Sequence, residues 1–214
     1  MKCVLIPTLN EAETIGRVID DIPNDLDVFI VDGLSSDNTI EIAKEKNAEV
    51  IIEKRKGKGN AVKKAFSKLK KYDKIVMLDG DYTYDPKDIP RFFEKLNNFD
   101  IVFGKRIVNK NSMSLTHKLG NFLITMTAKM LYGNKISDLC TGFIGFSRKS
   151  LRKIRITAKG FDLEANIFAQ AAKKDLKISE IDIEYRQSDA QSKLNSFSDG
   201  IKIIKMLFKQ KVKV

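Results

Sequence analysis

The first hundred residues alternate between short apolar runs and stretches whose apolar residues recur every three or four positions. Residues 2–6, 27–31, 49–52, 74–78 and 100–103 are apolar runs bounded by polar punctuation, the pattern of strands buried on both faces. Residues 11–22, 38–46, 59–71 and 86–97 carry the helical period between them. The order βαβαβαβαβ with right-handed crossovers predicts an α/β fold, a three-layer α/β/α sandwich around a mostly parallel central sheet.

Beyond residue 104 the alternation loosens. Leu115, Leu119, Phe122, Leu123, Met126 and Met130 mark one face of a helix that stops at Tyr132-Gly133-Asn134. A strand over 141–147, a helix over 162–174, a strand over 178–185 and a basic helix from Ser198 complete the reading. No Pro/Gly/Ser linker, low-complexity tract or repeat interrupts the chain, so residues 1–214 read as one domain with C-terminal amphipathic helices.

Composition narrows the class. With 43% hydrophobic and 31% charged residues the chain has a core to bury, which excludes intrinsic disorder. The longest run without a charge, residues 119–128, falls well short of the ~20 apolar residues that span a bilayer. The chain opens directly into Lys2-Cys3-Val4-Leu5-Ile6, without the pattern of a secretory signal, and the expected location is cytoplasmic. Cys3 and Cys140 make neither a disulfide framework nor a zinc site and read as reduced structural thiols. The net charge of +11 is polarised: residues 1–104 hold 17 Lys/Arg against 19 Asp/Glu, and residues 105–214 hold 22 against 9. A basic second half suits nucleic acid, anionic lipid or a phosphorylated substrate, and charge alone does not choose among them.

The candidate chemistry gathers where the predicted strands end. Val76-Met77-Leu78-Asp79-Gly80-Asp81 places two carboxylates, Asp79 and Asp81, at the C-terminal end of a buried strand, where α/β sheets bind ligands. Such a pair is a hard-oxygen site for Mg²⁺ or Mn²⁺, with a diphosphate completing the shell, or else a solvated Asp-Gly-Asp turn. An EF-hand is excluded by Tyr84 and Pro90 where Gly and Glu are required. Pro7-Thr8-Leu9-Asn10-Glu11 and the segment from Val31-Asp32-Gly33 to Asn38-Thr39 put further acceptors at the same edge. Asp37 is expected to cap the next helix and Asp32 to bind a nucleobase or ribose. Lys54-Arg55-Lys56-Gly57-Lys58-Gly59-Asn60 precedes a helix and offers backbone N–H groups and cations to a diphosphate. It matches neither a Walker motif nor a dinucleotide fingerprint, since the Ser/Thr is missing and Val62 stands in place of the third Gly.

Taken together, Pro7-Thr8-Leu9-Asn10-Glu11, Asp32 with Ser35-Ser36-Asp37-Asn38-Thr39, Gly57-Lys58-Gly59-Asn60, Asp79-Gly80-Asp81, Gly104-Lys105-Arg106, Asp138 with Thr141-Gly142-Phe143, and Ser192-Lys193-Leu194 make the chain resemble the family 2 glycosyltransferases of the GT-A fold. The resemblance is to the dolichyl-phosphate mannose/glucose synthase group. It implies a metal-dependent, inverting transfer of a sugar from a nucleotide sugar (GDP-mannose, UDP-glucose or UDP-GlcNAc) to dolichyl or another polyprenyl phosphate, for glycan assembly. It also implies roles. Pro7, Asn10, Glu11, Asp32, Lys58, Gly59, Asp79 and Gly80 would hold the nucleotide sugar, and Asp79 and Asp81 the Mg²⁺ or Mn²⁺. Arg106, Ser192 and Lys193 would take the acceptor phosphate, with Asp81, Arg106 and Asp138 at the catalytic centre. Residues 1–104 would then be the nucleotide-sugar half, 105–197 the acceptor half and 198–214 a basic amphipathic helix. One departure stands out: the family often continues the acidic pair with Leu-Gln-His-Pro-Pro, and here Tyr82-Thr83-Tyr84-Asp85-Pro86 removes a side-chain amide, leaving Thr83, water or nothing in its place.

Physical chemistry fits that assignment. A lipid phosphate with its second pKa near ~6 is nucleophilic at pH 7, so no general base is needed. The work left is alignment and neutralisation of the departing diphosphate. Asp138 then orders the acceptor loop or positions Arg106 or the sugar, in preference to acting as base. Glu164, among Phe161, Leu163 and Ile167, needs a partner if buried, and a basic residue is the candidate. His117 reads as a surface residue of its helix. The expected partners are a nucleotide sugar, a polyprenyl phosphate and, by peripheral contact, the cytoplasmic face of a membrane. The terminal helix is the preferred contact and the Leu115–Met130 stripe the second candidate, each with core packing as its alternative. Nucleic acid beyond the nucleotide is not expected, because no aromatic platforms interleave the basic runs. The alternative is a family 2 enzyme acting on a soluble sugar or phosphorylated acceptor.

Overall fold

A computed structural model describes residues 1–108, 115–133, 135–186 and 196–212. In chain order the elements are β1 (Lys2–Thr8), α1 (Ile15–Asp20), β2 (Asp27–Asp32), α2 (Thr39–Glu45), β3 (Glu49–Ile52), α3 (Lys58–Lys68), β4 (Lys74–Met77), a 3-10 turn (Pro86–Asp88) running into α4 (Ile89–Lys95), and β5 (Ile101–Val108). They continue with α5 (Leu115–Tyr132), β6 (Ile144–Ser147), α6 (Arg148–Lys153), α7 (Leu163–Lys173), β7 (Ile178–Tyr185) and α8 (Ser196–Val212).

The strands form a seven-stranded sheet in the order β3-β2-β1-β4-β6-β5-β7. β1 to β4 pair in parallel, as their unbroken apolar runs predict. The fifth strand does not follow the fourth. β6 lies between β4 and β5 and pairs antiparallel with both, and β7 returns parallel to β5. Apolar content cannot give this order, because a strand buried on both faces reads the same in either direction.

Two-residue alternation divides the core. Leu5, Phe29, Val31, Ile75, Met77, Ile101 and Phe103 face one side, with α3, α5, α7 and α8, while Val4, Ile6, Ile30, Val76 and Val102 face the other, with α1, α2 and α4. Hence the three layers. α7 is buried from Leu163 through Ala172, because α8 covers the flank that the sheet does not. α5 ends where expected: Gly133 takes φ +85° and its N–H donates to Lys129 O at 2.8 Å.

The two helical stripes divide between core and surface. On α8, Ile203 and Leu207 are buried and Tyr132 Oη donates to Leu207 O at 2.7 Å, so one face of this helix packs on the core, while its lysines and Ile201, Phe208 and Val212 are exposed. On α5 the core face is Ile124, Ala128 and Tyr132. Leu119, Phe122, Leu123, Met126 and Met130 point outward, with Leu119 60% and Met130 83% exposed. No helix among the described residues is long and apolar enough to cross a membrane.

Candidate active site

Three loops at the C-terminal edge of β1, β2 and β4 are laced together by short polar side chains. Asn10, held at φ +54°, accepts from the Ser36 N–H at 2.8 Å, and its own N–H donates to Ser35 Oγ at 2.8 Å. The Glu11 N–H donates to Thr39 Oγ1 at 2.8 Å, and the Ala12 N–H to Asp37 at 3.1 Å. Asp37 also accepts from the N–H and hydroxyl of Thr39, the first residue of α2, so it caps that helix from one position before the N-cap, Asn38. Burial pushes the Asp37 carboxyl up, but these hydrogen bonds outweigh it and hold it below its ordinary value.

Asp32 ends β2 fully buried. It accepts from Thr8 Oγ1 at 2.9 Å, Ser35 Oγ at 2.6 Å and the Ser35 N–H at 2.7 Å. In this structure the expected base or ribose ligand is the knot between the first two loops. Pro7 costs the sheet nothing. Leu5 O accepts from the Leu78 N–H on the β4 side, so Pro7, two residues on, aims its missing donor past the end of that ladder at Leu5↔Met77.

Asp79 and Asp81 leave β4 together. Thr14 Oγ1 donates to Gly80 O at 2.7 Å, and a Cβ on Gly80 would stand 3.1 Å from Thr8 Cγ2, so the turn between the two carboxylates is packed against the first loop. The Thr141-Gly142-Phe143 segment crosses directly over Asp79: a Cβ on Gly142 would stand 1.9 Å from its Oδ2. Asp81 accepts from the Thr83 hydroxyl at 2.6 Å and N–H at 3.1 Å. Its carboxyl is raised by burial and by the charge of Asp79. Thr83 thus orders Asp81.

Lys58 Nζ lies 2.6 Å from Asp79 Oδ1 and 2.8 Å from Glu164 Oε1. This answers what Glu164 is for: it holds Lys58. Burial works against the Lys58 charge, but the two carboxylates outweigh it and the ammonium is held above its ordinary pKa. The glycines on either side have a packing role. Gly57, at φ +106°, and Gly59 would place a Cβ 2.1 Å from Lys159 O and 2.4 Å from Ala158 O, and the Gly59 N–H donates to Lys159 O. They let two backbones touch, which fixes the start of α3 and the root of Lys58.

Arg106 and Asp138 form a bidentate pair, Nε to Oδ2 at 2.7 Å and Nη2 to Oδ1 at 2.8 Å, each side chain 7% exposed. The Asn121 amide donates to Asp138 at 2.9 Å, and Glu180 accepts from the Ser137 and Asp138 N–H groups. Asp138 is therefore built to position Arg106. The guanidinium stands over the Tyr185 ring, and Tyr185 packs on Tyr84, whose hydroxyl accepts from the Gly142 N–H at 2.8 Å. The Tyr185 and Tyr84 rings thus link the arginine to the Gly142 segment that crosses Asp79.

Sequence reasoning missed Asn121, Glu180 and Arg186. Arg186 pairs with Asp85 and lies over the Tyr82 ring, and its Nη1 is buried with no hydrogen-bond partner among the described residues. Its position one residue past a predicted strand was the available signal. Ser192 and Lys193, expected at the acceptor phosphate, lie outside the described residues, as does the His117 side chain.

The donor chemistry suits a divalent cation shared with a diphosphate. Asp79 and Asp81 supply hard oxygens, and an ammonium already stands against Asp79. No cluster of three or more potential metal ligands occurs among the described residues, so other oxygens would complete the shell.

The sequence profile described as glycosyl transferase family 2 matches residues 3–155. The chain belongs to that family. Among relatives, it is 32% identical over 212 residues to a dolichyl-phosphate hexose transferase of Haloferax volcanii, covering 96% of this chain and 92% of the relative. It is 31% identical over 205 residues to glycosyltransferase AglJ of the same organism, covering 92% and 68%. An undecaprenyl-phosphate mannosyltransferase of Micrococcus luteus is 28% identical, covering 89% and 86%. Among solved structures, glucosyl-3-phosphoglycerate synthase of Mycobacterium tuberculosis, in complex with Mn²⁺, UDP-glucose and phosphoglyceric acid, superposes with a TM-score of 0.83 at 20% identity, covering 99% of this chain and 79% of that one. The family 2 chain has the GT-A fold and is a glycosyltransferase, as the motifs implied.

Proposed function

We propose that this family 2 glycosyltransferase moves a hexose, with inversion, from a nucleoside-diphosphate sugar to a polyprenyl (dolichyl) phosphate at a membrane surface. The observation that carries the reading is the arrangement around the Tyr84–Tyr185 pair. The acidic pair with Lys58 lies beneath the Gly142 segment that Tyr84 holds, and suits a metal diphosphate; the braced Arg106 lies over Tyr185, and suits an anionic acceptor. The relatives named for polyprenyl-phosphate substrates support that acceptor.

In this reading Asp79 and Asp81 hold Mg²⁺ or Mn²⁺, which when bound would neutralise charge on the departing diphosphate. Lys58 adds a positive charge at the same point. Arg106 aligns a phosphate oxygen with the anomeric carbon. As that oxygen bonds to the carbon, the bond to the nucleoside diphosphate breaks, and no base is required because the phosphate is already ionised. Residues 1–104 thus serve mainly the donor and 105–197 the acceptor, with Glu164 and Gly142 reaching across to Lys58 and Asp79.

The membrane contact we assign to α5. Its outward Leu119, Phe122, Leu123, Met126 and Met130 make an apolar face, and the exposed lysines 202, 205 and 209 of the adjoining α8 suit an anionic surface. The inner side of the same helix carries Asn121, the brace of Asp138, so the acceptor half touches both the expected bilayer and the arginine. The protein is then peripheral on the cytoplasmic face.

The test is incubation with a panel of nucleotide sugars, polyprenyl phosphate and Mg²⁺ or Mn²⁺, with sugar counted in the organic phase. Transfer into lipid that stops in excess EDTA is the expected result. Transfer only to a water-soluble phosphorylated acceptor overturns the lipid assignment.

A further inference from the structure

Lys58 contributes something beyond a positive charge for the diphosphate. Its ammonium occupies Asp79 Oδ1 at 2.6 Å, the carboxylate on which a divalent cation would bind, and is anchored a second time by Glu164 at 2.8 Å. Neither end of this contact can withdraw as a whole. The root of Lys58 is fixed where Gly57 and Gly59 meet the Ala158–Lys159 backbone, and Asp79 is pinned beneath Gly142. Two cations a few ångströms apart repel strongly in a partly buried site. A divalent ion reaching Asp79 must therefore displace the ammonium, and a long unbranched side chain still held at Glu164 can turn aside. A diphosphate entering with the metal supplies the displaced ammonium with a new acceptor.

We propose that Lys58 is an internal competitor for the metal position, so that the divalent cation binds weakly alone and tightly only together with a nucleoside diphosphate. This rests on the placement of metal and diphosphate at Asp79 and Asp81 given above. The coupling is reciprocal by linkage: the diphosphate gains from the metal as much as the metal from the diphosphate. The device keeps the acidic pair neutralised without the donor and couples metal binding to donor binding.

The experiment is an Mn²⁺ titration read by the electron paramagnetic resonance of free Mn²⁺, on the full chain, without nucleotide and with saturating UDP or GDP. Wild type is compared with Lys58→Met and Lys58→Gln, the latter keeping a hydrogen-bonding group between the carboxylates. Lys63→Met, which removes an equal charge from an exposed position of α3, is the control. Without nucleotide, both Lys58 variants are expected to bind Mn²⁺ at least tenfold more tightly than wild type, and Lys63→Met within about twofold of it. The ratio of Mn²⁺ affinities with and without diphosphate shrinks in the Lys58 variants. Unchanged or weaker Mn²⁺ binding in a folded Lys58 variant, or the wild-type ratio retained, overturns the proposal. The assay contains neither sugar nor acceptor, so a wrong acceptor assignment leaves its result unaffected, and absence of nucleotide-dependent Mn²⁺ binding in wild type marks the failure of the metal-diphosphate site itself.

Discussion

Asp79 and Asp81 share a turn but not an environment. Asp79 faces an ammonium, and Asp81 is enclosed and ordered by Thr83. Replacing either with Ala is expected to lower sugar transfer at least ~10²-fold, the usual cost of losing electrostatic stabilisation of a leaving group. Steady-state transfer assays at saturating metal check this, and Asp81 should be the more damaging. Near the second site, burial pushes the Cys140 thiol up to about 12 although Arg106 opposes it, and Cys3 is fully buried and raised further. Neither is a thiolate at pH 8. Iodoacetamide should therefore leave both unmodified in the native protein and label both in denaturant, as mass spectrometry of the intact chain would show.

At the scale of elements, α5 and α8 each bury one apolar face and leave other apolar residues exposed. Leu207 and Ile203 of α8 are core residues, so Leu207→Ala should cost about 2–5 kcal/mol in denaturant unfolding. Truncation before α8 should expose α7 rather than merely detach an anchor. Phe122 and Met126 of α5 support no core. Changing both to Ser should leave the unfolding midpoint nearly unaltered while lowering co-sedimentation with anionic liposomes, and equal sedimentation by the variant would remove α5 as the contact. The Arg106–Asp138 pair joins β5 to the segment between α5 and β6. Asp138→Ala leaves a buried guanidinium unpaired, an expected loss of about 3–5 kcal/mol.

For the whole molecule, charge sets the response to acid. Glu53 is held at about 2 by its hydrogen bonds from Arg55, and Asp100 is held below its ordinary value because the Lys149 ion pair outweighs burial. Asp37 is depressed likewise. A depressed carboxyl binds fewer protons folded than unfolded. The stability these groups add is thus complete above the unfolded values of 3.8 and 4.5 and is lost as pH falls through the lower folded ones. Urea midpoints should hold between pH 7 and about 5 and fall steadily below about 4.

The sequence by itself determined most of the elements, the short α6 excepted, the three layers and the gathering of polar residues at the ends of β1, β2 and β4, because these follow from local periodicity and from a rule tying ligands to the carboxyl edge of a parallel sheet. The Asp37 cap and the stop at Gly133 were legible for the same local reason. Tertiary structure alone decided what depends on residues far apart in the chain. The antiparallel insertion of β6 between β4 and β5 leaves no mark in apolar content. Glu164 found Lys58, 106 residues away, and Asp138 found Arg106 and Asn121, since a buried charge takes whichever partner the fold brings near. The glycines around Lys58 suggested an anion cradle, and their close contact with the backbone of Ala158 and Lys159 is something that no spacing reveals. Which apolar residues turned outward was likewise settled by packing: α8 buries Ile203 and Leu207 against the core, while Leu119, Phe122 and Met130 of α5 stay exposed.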